Sequence, residues 1–204
     1  MKKLVITLIV LLTLTGCDMV GTDYNREVTD GVHVRTFDRH VEYLGDGNEF
    51  FEIEYVTDWH LQIIHVISDG GIEIITYDQD KKRLQTLLSR SNSYGGLLGL
   101  NFKDDPKYMQ IIADDKWDIS QHPLGAAPDR IMEEGDEISF TGDNIVLLNY
   151  EFDEPIEVNI RTTRHVDLTA WGSERKIDIR SGKFTVYPDE MALEFRTEGE
   201  VYLW

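Results

Sequence analysis

The chain is poor in cysteine, in positive charge and in long apolar runs. Its 204 residues include a single cysteine, Cys17, so no disulfide can form within one molecule. A cysteine-based zinc site is excluded for the same reason, and the His-Glu-x-x-His pattern of zinc peptidases does not occur. The longest apolar run, residues 4–14, is well short of the ~20 residues that a membrane-spanning helix needs.

Acidic residues outnumber basic ones by 38 to 20, which gives a net charge of −18. A surface of this sign repels nucleic acids and anionic lipid headgroups, so we expect no nucleic-acid partner. With 41% apolar and 10% aromatic residues the chain is not of the disordered class. Its length suits one domain, or two small ones, with a core that needs no disulfides.

Catalytic signatures are also missing. The sequence has no Gly-x-Ser-x-Gly elbow and no phosphate-binding loop ending in Gly-Lys-Ser or Gly-Lys-Thr. Ser173 and Lys176 match the Ser-x-x-Lys spelling of penicillin-binding enzymes, but the segment alternates like a strand and no Lys-Thr-Gly partner occurs. We therefore expect no cofactor, no metal and a binding role rather than catalysis.

The N-terminus carries the clearest motif. Lys2 and Lys3 precede the short apolar run, as in a secretory signal. The run ends in Leu14-Thr15-Gly16-Cys17, which closely resembles the lipobox of bacterial lipoproteins. The resemblance implies that residues 1–16 are a signal peptide cleaved between Gly16 and Cys17. It also implies that the Cys17 thiol carries diacylglycerol and that the new amine is acylated, for example by palmitate.

This resemblance sets an expected location. Asp18 follows the lipid-bearing position, and in enterobacterial lipoproteins an Asp there resembles the signal for retention in the inner membrane. Residues 17–31 lack an apolar period and are predicted to form a lipidated tether. The protein is thus expected on the extracytoplasmic side of the cell membrane, which is the periplasmic side in a Gram-negative cell. Cleavage would remove two lysines and no acid, so the mature chain would be more negative by two.

From residue 32 onward the dominant apolar period is two, which is typical of strands with one buried face. The prediction is an all-β, mainly antiparallel β-sandwich, or a barrel-like domain, over residues 32–204. One short inserted helix is predicted at residues 78–90, where Leu84, Leu87 and Leu88 share a helical face. The Gly-rich stretch 68–71 predicts a hairpin between the strands on either side.

From residue 89 onward the sequence predicts irregular connections first and then a series of short strands. Residues 89–101 are predicted to be a turn-rich exit from the helix, and residues 103–130 an irregular connection with a sub-boundary near 120–130. Ser181 and Gly182 predict a two-residue hairpin turn. Eight strands are predicted on either side of this turn, at residues 138–141, 145–152, 156–161, 166–171, 176–180, 183–187, 191–196 and 201–204.

Candidate site residues are few. Trp117 lies in the irregular acidic segment and is our preferred exposed residue for a binding patch, since tryptophan is common in partner and sugar sites. His60 and His65 are predicted to face opposite sides of a strand, so they cannot share a metal. Paired carboxylates such as Asp114 and Asp115 leave open a hydrolase of envelope polysaccharide. Lys81, Lys82, Arg83 and Arg90, the densest basic cluster, are predicted to be a solvated helix face.

The last eight residues, 197–204, loosely resemble the C-terminal assembly signal of outer-membrane barrel proteins. A small outer-membrane protein is therefore one alternative, and the polysaccharide hydrolase is another. The preferred hypothesis is a lipid-anchored domain that binds or scaffolds an envelope component, either a protein or a polysaccharide.

Overall fold

The computed structural model describes residues 25–29, 31–57, 60–126, 131–133, 135–148, 153–179 and 182–204. These residues form nineteen strands and one 3-10 turn, Leu124–Ala126. No helix among them has the length and apolarity needed to cross a membrane. The strands are β1 Asn25–Thr29, β2 Val32–Thr36, β3 Val41–Asp46, β4 Glu49–Glu52, β5 Leu61–Ser68, β6 Ile72–Tyr77, β7 Arg83–Arg90, β8 Tyr94–Asn101, β9 Tyr108–Ala113, β10 Lys116–Pro123, β11 Ile131–Met132, β12 Ile138–Thr141, β13 Asn144–Leu148, β14 Ile156–Thr162, β15 Val166–Trp171, β16 Arg175–Ile179, β17 Gly182–Val186, β18 Ala192–Arg196 and β19 Glu200–Leu203.

The strands form four sheets. Sheet I has the order β1-β2-β3-β10-β5-β8, and sheet II has the order β4-β9-β6-β7. Sheet III has the order β11-β13-β18-β15-β16, and sheet IV has the order β12-β19-β14-β17. The strand pairs of the described residues are antiparallel except for β11 with β13. The chain is therefore an all-β antiparallel sandwich protein, as the alternating pattern predicted.

Two hydrophobic cores divide the chain. Sheets I and II bury one cluster between them, which runs from Val32 to Ile119, and we call this half the first lobe. Sheets III and IV bury a second cluster, which runs from Met132 to Leu203, and this half is the second lobe. Alternation places the inward side chains: in β15, for example, Val166, Leu168 and Ala170 are buried.

A third, smaller core joins the lobes. The outer face of sheet I contacts sheet III through apolar residues of β5, β8, β13 and β18. As a result β5 is buried on both faces over most of its length, which explains its nearly continuous apolar sequence. The members of this joint are Leu61, Ile63, Leu97, Leu124, Ile145 and Ala192.

The predicted helix at residues 78–90 is wrong, because β7 occupies Arg83–Arg90. β7 pairs with β6 through two register shifts: Ile74 lies opposite Leu88 but Ile75 lies opposite Thr86, and the second shift falls before Tyr77. Leu87 and Leu84 are thus the extra residues of two β-bulges. A bulge places neighbouring residues on one face, and this produced the helix-like spacing of the leucines.

Both predicted hairpins are also wrong. Ser68–Gly71 connects β5 in sheet I with β6 in sheet II, so it crosses between sheets instead of joining paired strands. At Gly71 a Cβ would lie 3.2 Å and 3.3 Å from the carbonyl oxygens of Ser91 and Arg90 and 2.7 Å from the Asp114 carboxylate, so this crowded position favours glycine. β16 and β17 likewise belong to sheets III and IV, and Ser181 lies outside the described residues.

The segments predicted to be irregular contain three long strands. β8, β9 and β10 cover most of residues 94–123, and β1 lies within the predicted tether. The glycines of β8 misled the prediction, since glycine usually weakens a strand. By contrast, the strands predicted after residue 137 agree with β12 to β19 to within a few residues, although 149–152 and 180–181 lie outside the described residues.

A candidate ligand cleft between the lobes

An open cleft of about 840 Å³ lies where β7 of the first lobe approaches the second lobe. Its second-lobe wall comes from the start of β15 and the end of β18. The cleft is mostly polar. Three of its lining residues are arginines, one from β7 and two from the second lobe. The lining residues are Thr86, Leu87, Leu88, Ser89, Arg90, Arg164, His165, Asp167, Arg196, Thr197 and Glu198.

Asp143 lies behind the lining of this cleft and holds lining residues in place. Its side chain is fully buried, and it accepts hydrogen bonds from Arg90 Nη2 at 3.0 Å and from Tyr94 Oη at 3.0 Å. The backbone N–H of Thr197 donates to its other oxygen at 2.7 Å. Arg196 Nη1 lies 3.8 Å from Oδ2. Residues of both lobes therefore converge on one carboxylate immediately before β13.

Glu194 forms a second buried contact between the lobes. Its Oε1 accepts a hydrogen bond from the Gly99 backbone N–H at 3.0 Å and lies 2.7 Å from Arg196 Nη2. Its Oε2 accepts from Trp171 Nε1 at 3.0 Å. Gly99 must be glycine here, because a Cβ would lie 2.8 Å from the Trp171 ring and 3.1 Å from Glu194 Oε2. Gly96, where a Cβ would lie 3.0 Å from the Asp143 carbonyl oxygen, and Gly99 therefore mark where the second lobe approaches the first.

These two carboxylates are poor candidates for catalysis. Each is surrounded by two or more donors, and both lie against Arg196, so they serve as ion-pair acceptors. Burial, followed by the adjacent Asp143, raises the pKa of Tyr94, which keeps its hydroxyl protonated as a donor. The arrangement holds the lobes together and orients Arg90 and Arg196.

The mouth of the cleft is built differently. Arg164 Nη1 lies 3.4 Å from Glu198 Oε2, and both side chains are about two-thirds exposed. His165 Nε2 lies 3.0 Å from Asp167 Oδ1, and both of these side chains are also exposed. Exposed pairs contribute little free energy, so these side chains can exchange partners when a ligand arrives.

The sequence-predicted site residues fall elsewhere. Gly16, Cys17 and Asp18 lie outside the described residues, as does Trp59. The prediction that Trp117 is exposed is wrong, because only 3% of it is exposed. It lies on β10, an interior strand of sheet I, stacks on Phe51 at 5.9 Å and donates from Nε1 to the Gly47 carbonyl at 3.0 Å. Its role in a binding patch stays a prediction.

The cleft arginines were missed for a specific reason. Arg90 was assigned to a solvated helix face, and Arg164 and Arg196 stand singly in the sequence. Nothing in their spacing reveals that β7, β15 and β18 meet. Two features together could have indicated the contact between the lobes: the glycines in β8, and Glu194, which interrupts an otherwise apolar run in β18. A buried charge in such a run requires a partner from another element.

A second polar cluster occupies the outer face of sheet I beyond the joint. The rings of His40 and His122 stack at 5.0 Å, and Phe37 stacks on His40 at 4.2 Å. Burial, followed by repulsion from His40 and His65, lowers the pKa of His122. Burial, followed by repulsion from Glu42, raises the pKa of Asp118 on the same face.

Metal binding has no geometric support in this part of the molecule. Among the described residues, no three His, Cys, Asp or Glu side chains come together in a group that could hold a metal ion. Other acids act in turns: Asp78 Oδ1 accepts from the backbone N–H groups of Asp80 and Lys82, each at 2.9 Å.

Comparison with known proteins gives distant structural likenesses and no relative in sequence. No protein-family model and no curated protein matches the chain. Among solved structures, a single-site mutant of Bacillus subtilis oxalate decarboxylase is similar at 10% identity and a TM-score of 0.29, covering 90% of this chain and 74% of that one. A cupin 2 conserved barrel domain protein from Leptotrichia buccalis is similar at 12% identity and a TM-score of 0.26, with 88% and 86% covered. YhaK from Escherichia coli gives 11% identity and a TM-score of 0.25, with 89% and 90% covered. At scores of this size the likenesses support no conclusion about chemistry.

Proposed function

We propose that this chain is a membrane-anchored lipoprotein that presents an acidic β domain outside the cytoplasm and binds an envelope component in the inter-lobe cleft. The observation that carries the binding role is the cleft itself. It is open to solvent, and two of its arginines are held in place by buried carboxylates. A site of this kind exists before the ligand arrives, which lowers the entropy cost of binding.

The anchor part of the proposal rests on the N-terminal motif. Lys2 and Lys3, the short apolar run and the Leu14–Cys17 sequence together favour lipidation at Cys17. More than one acyl chain gives stable attachment, since each buried CH₂ contributes ~0.8 kcal/mol and a single chain is marginal. Strand β1 begins at Asn25, so few residues separate the first lobe from the bilayer.

Binding is favoured over polysaccharide hydrolysis by the state of the carboxylates. A glycoside hydrolase needs one carboxyl to donate a proton and another to act as base or nucleophile. Behind this cleft Asp143 and Glu194 are saturated with donors, while Asp167 and Glu198, which line it, are exposed and paired with His165 and Arg164. No specific feature of the cleft favours the hydrolase.

Site-specific photo-cross-linking in living cells tests the binding role. A photoreactive amino acid at Ser89, which is exposed in the cleft, should form an adduct with an envelope component. The same amino acid at Lys183, which is exposed on sheet IV away from the cleft, is the control. No adduct at Ser89, or the same adducts from both positions, would contradict the proposal.

The anchor is tested separately. Changing Cys17 to Ser removes the acceptor thiol, so the protein should leave the membrane fraction and the acyl mass should disappear from its N-terminus. A variant that stays in the membrane with its acyl mass would show that Cys17 is not the lipidated residue.

A further inference from the structure

The cleft differs in charge from the rest of the protein. Over the whole chain acids outnumber bases by almost two to one, yet the cleft is lined by three arginines and a histidine against two exposed acids, Asp167 and Glu198. Behind the lining, Asp143 and Glu194 neutralise two of the arginines. The cleft is therefore close to neutral, in contrast to an acidic surface, and it is rich in N–H donors.

Two of the guanidinium groups are close together. Arg90 Nη2 and Arg196 Nη1 lie 3.0 Å and 3.8 Å from the same atom, Oδ2 of Asp143. A single oxyanion group on the solvent side can therefore reach both arginines. Since Asp143 and Glu194 hold these side chains from behind, the site needs no large rearrangement to accept such a group.

Arg90 and Arg196 also have N–H groups that remain available to a ligand. A guanidinium has five N–H groups. Arg196 uses Nη1 and Nη2 on Asp143 and Glu194, and Arg90 uses Nη2 on Asp143 and Nη1 on the Ser89 carbonyl. Among the described residues, neither arginine has an acceptor for its Nε. Fork-like donor groups match carboxylates and phosphates better than they match neutral hydroxyls.

The third arginine can respond to a ligand. Arg164 is paired only with the exposed Glu198 among the described residues, and this pair costs little to break. Aromatic platforms, which neutral sugars generally require, are missing from the described residues that line the cleft, among which His165 is the one ring. The volume of the cleft is in the range of small-molecule sites.

We infer that the part of the envelope component recognised in the cleft carries more than one oxyanion group, either carboxylate or phosphate. One group lies between Arg90 and Arg196, and Arg164 leaves Glu198 to hold another at the mouth. This inference rests on the proposed binding function and specifies the chemistry of its ligand.

Isothermal titration of the full-length, detergent-solubilised protein with citrate, pyrophosphate and glucose tests this inference. Citrate, pyrophosphate or both should bind, glucose should not, and added salt should weaken binding. Citrate binding alone identifies a carboxylate ligand, and pyrophosphate binding alone identifies a phosphate ligand. Binding of glucose as tight as that of the anions, or no binding of either anion, would overturn the inference.

Three variants locate the site. Arg164→Gln should weaken anion binding about 5- to 20-fold, as expected for loss of one charge-assisted hydrogen bond. Glu198→Gln frees Arg164 and removes a negative charge, so it should tighten binding several-fold. Lys183→Gln is the matched control, because Lys183 also forms an exposed pair with a glutamate, Glu157, outside the cleft.

Misfolding weakens binding, so it cannot explain tighter anion binding by Glu198→Gln. This variant therefore tests the inference even if Arg164→Gln fails to fold. Equal anion affinities in all three variants would mean that the anion binds elsewhere, and the inference would fall. An envelope adduct at Ser89 in a protein that binds neither anion would overturn the ligand class and leave the binding function standing.

Discussion

At the scale of single residues, the most consequential groups are buried polar side chains whose partners come from distant parts of the chain. Asp143, Glu194 and Glu190 are charged yet almost completely buried, and each accepts several hydrogen bonds. Such groups are stable only when their partners are in place, since an uncompensated buried charge costs several kcal/mol. They therefore determine which arrangement of strands is stable.

Replacing Asp143 by Asn should lower the free energy of unfolding by about 2–4 kcal/mol, because Arg90 and Arg196 lose their buried counter-charge. Urea unfolding measures the effect. Asp167→Asn is the control, since that side chain is 77% exposed and its loss should leave stability unchanged. Equal, small effects of both variants would show that Asp143 does not hold the lobes together.

Thr76 presents the opposite situation. It is fully buried in β6, and its Oγ1 is a buried side-chain atom without a hydrogen-bond partner among the described residues. Thr76→Val keeps the shape and removes the unsatisfied hydroxyl, so it should stabilise the protein by about 1 kcal/mol.

Thr197→Val is the matched comparison for Thr76. The Thr197 hydroxyl donates to the His165 carbonyl at 2.8 Å and accepts from the Gly199 N–H, so the valine should destabilise by about 1–3 kcal/mol. Thermal or urea unfolding of the two variants should thus show shifts of opposite sign. A loss of stability in Thr76→Val would mean that its hydroxyl has a partner such as a buried water.

His122 predicts a pH dependence. Burial and the neighbouring histidines lower its pKa from the ordinary 6.5, so the unfolded chain binds this proton more readily than the folded one. Its contribution to stability is present above pH 6.5 and is lost as the pH falls through the lowered pKa. Glu42 faces it and reduces the shift, and Asp118, with a raised pKa, acts with the opposite sign at lower pH.

Urea unfolding at several pH values from 7.5 to 5.5 checks this dependence. Wild-type stability should fall with pH, and His122→Gln should flatten the curve. Parallel curves for wild type and His122→Gln would show that another group causes the dependence.

At the scale of elements, the sequence predicts strands well where they are buried on one face only. β14, β15 and β17 alternate regularly or nearly so, and their positions follow from the sequence to within a few residues. β7 and β8 could not be predicted in this way. The bulges of β7 imitate a helical period. In β8, Gly96 and Gly99 are required by the close approach of the second lobe, which is distant in sequence.

The glycines of β8 give a sharp test of this explanation. Gly99→Ala places a methyl group against Trp171 and Glu194, so it should destabilise by about 1–3 kcal/mol. Gly95→Ala lies on the same face of the same strand with open space around it, and should be neutral or slightly stabilising. Equal effects on unfolding would show that the lobes do not approach closely at Gly99.

At the scale of the whole molecule, the two lobes form one structural unit through the apolar joint and the buried ionic contacts beside it. The cleft exists only because the lobes are held at this contact, and its arginines come from both of them. The cleft could not be predicted from the sequence for this reason: neither wall carries a recognisable motif, and the site forms only where the two lobes come into contact.

One consequence is cooperative unfolding. Hydrogen exchange should show the cores of both lobes opening at the same denaturant concentration in the wild type, because the joint couples them. Asp143→Asn should separate the two transitions. Two separate transitions in the wild-type protein would show that the lobes are independent and that the cleft is not fixed by the fold.

The measurement that bears most directly on the role of the cleft is the titration of wild type and Glu198→Gln with citrate and pyrophosphate under identical conditions. We expect that at least one of these anions binds and that the variant binds it several-fold more tightly, because Arg164 is released to the ligand. Unchanged or weaker binding by the variant would contradict this role.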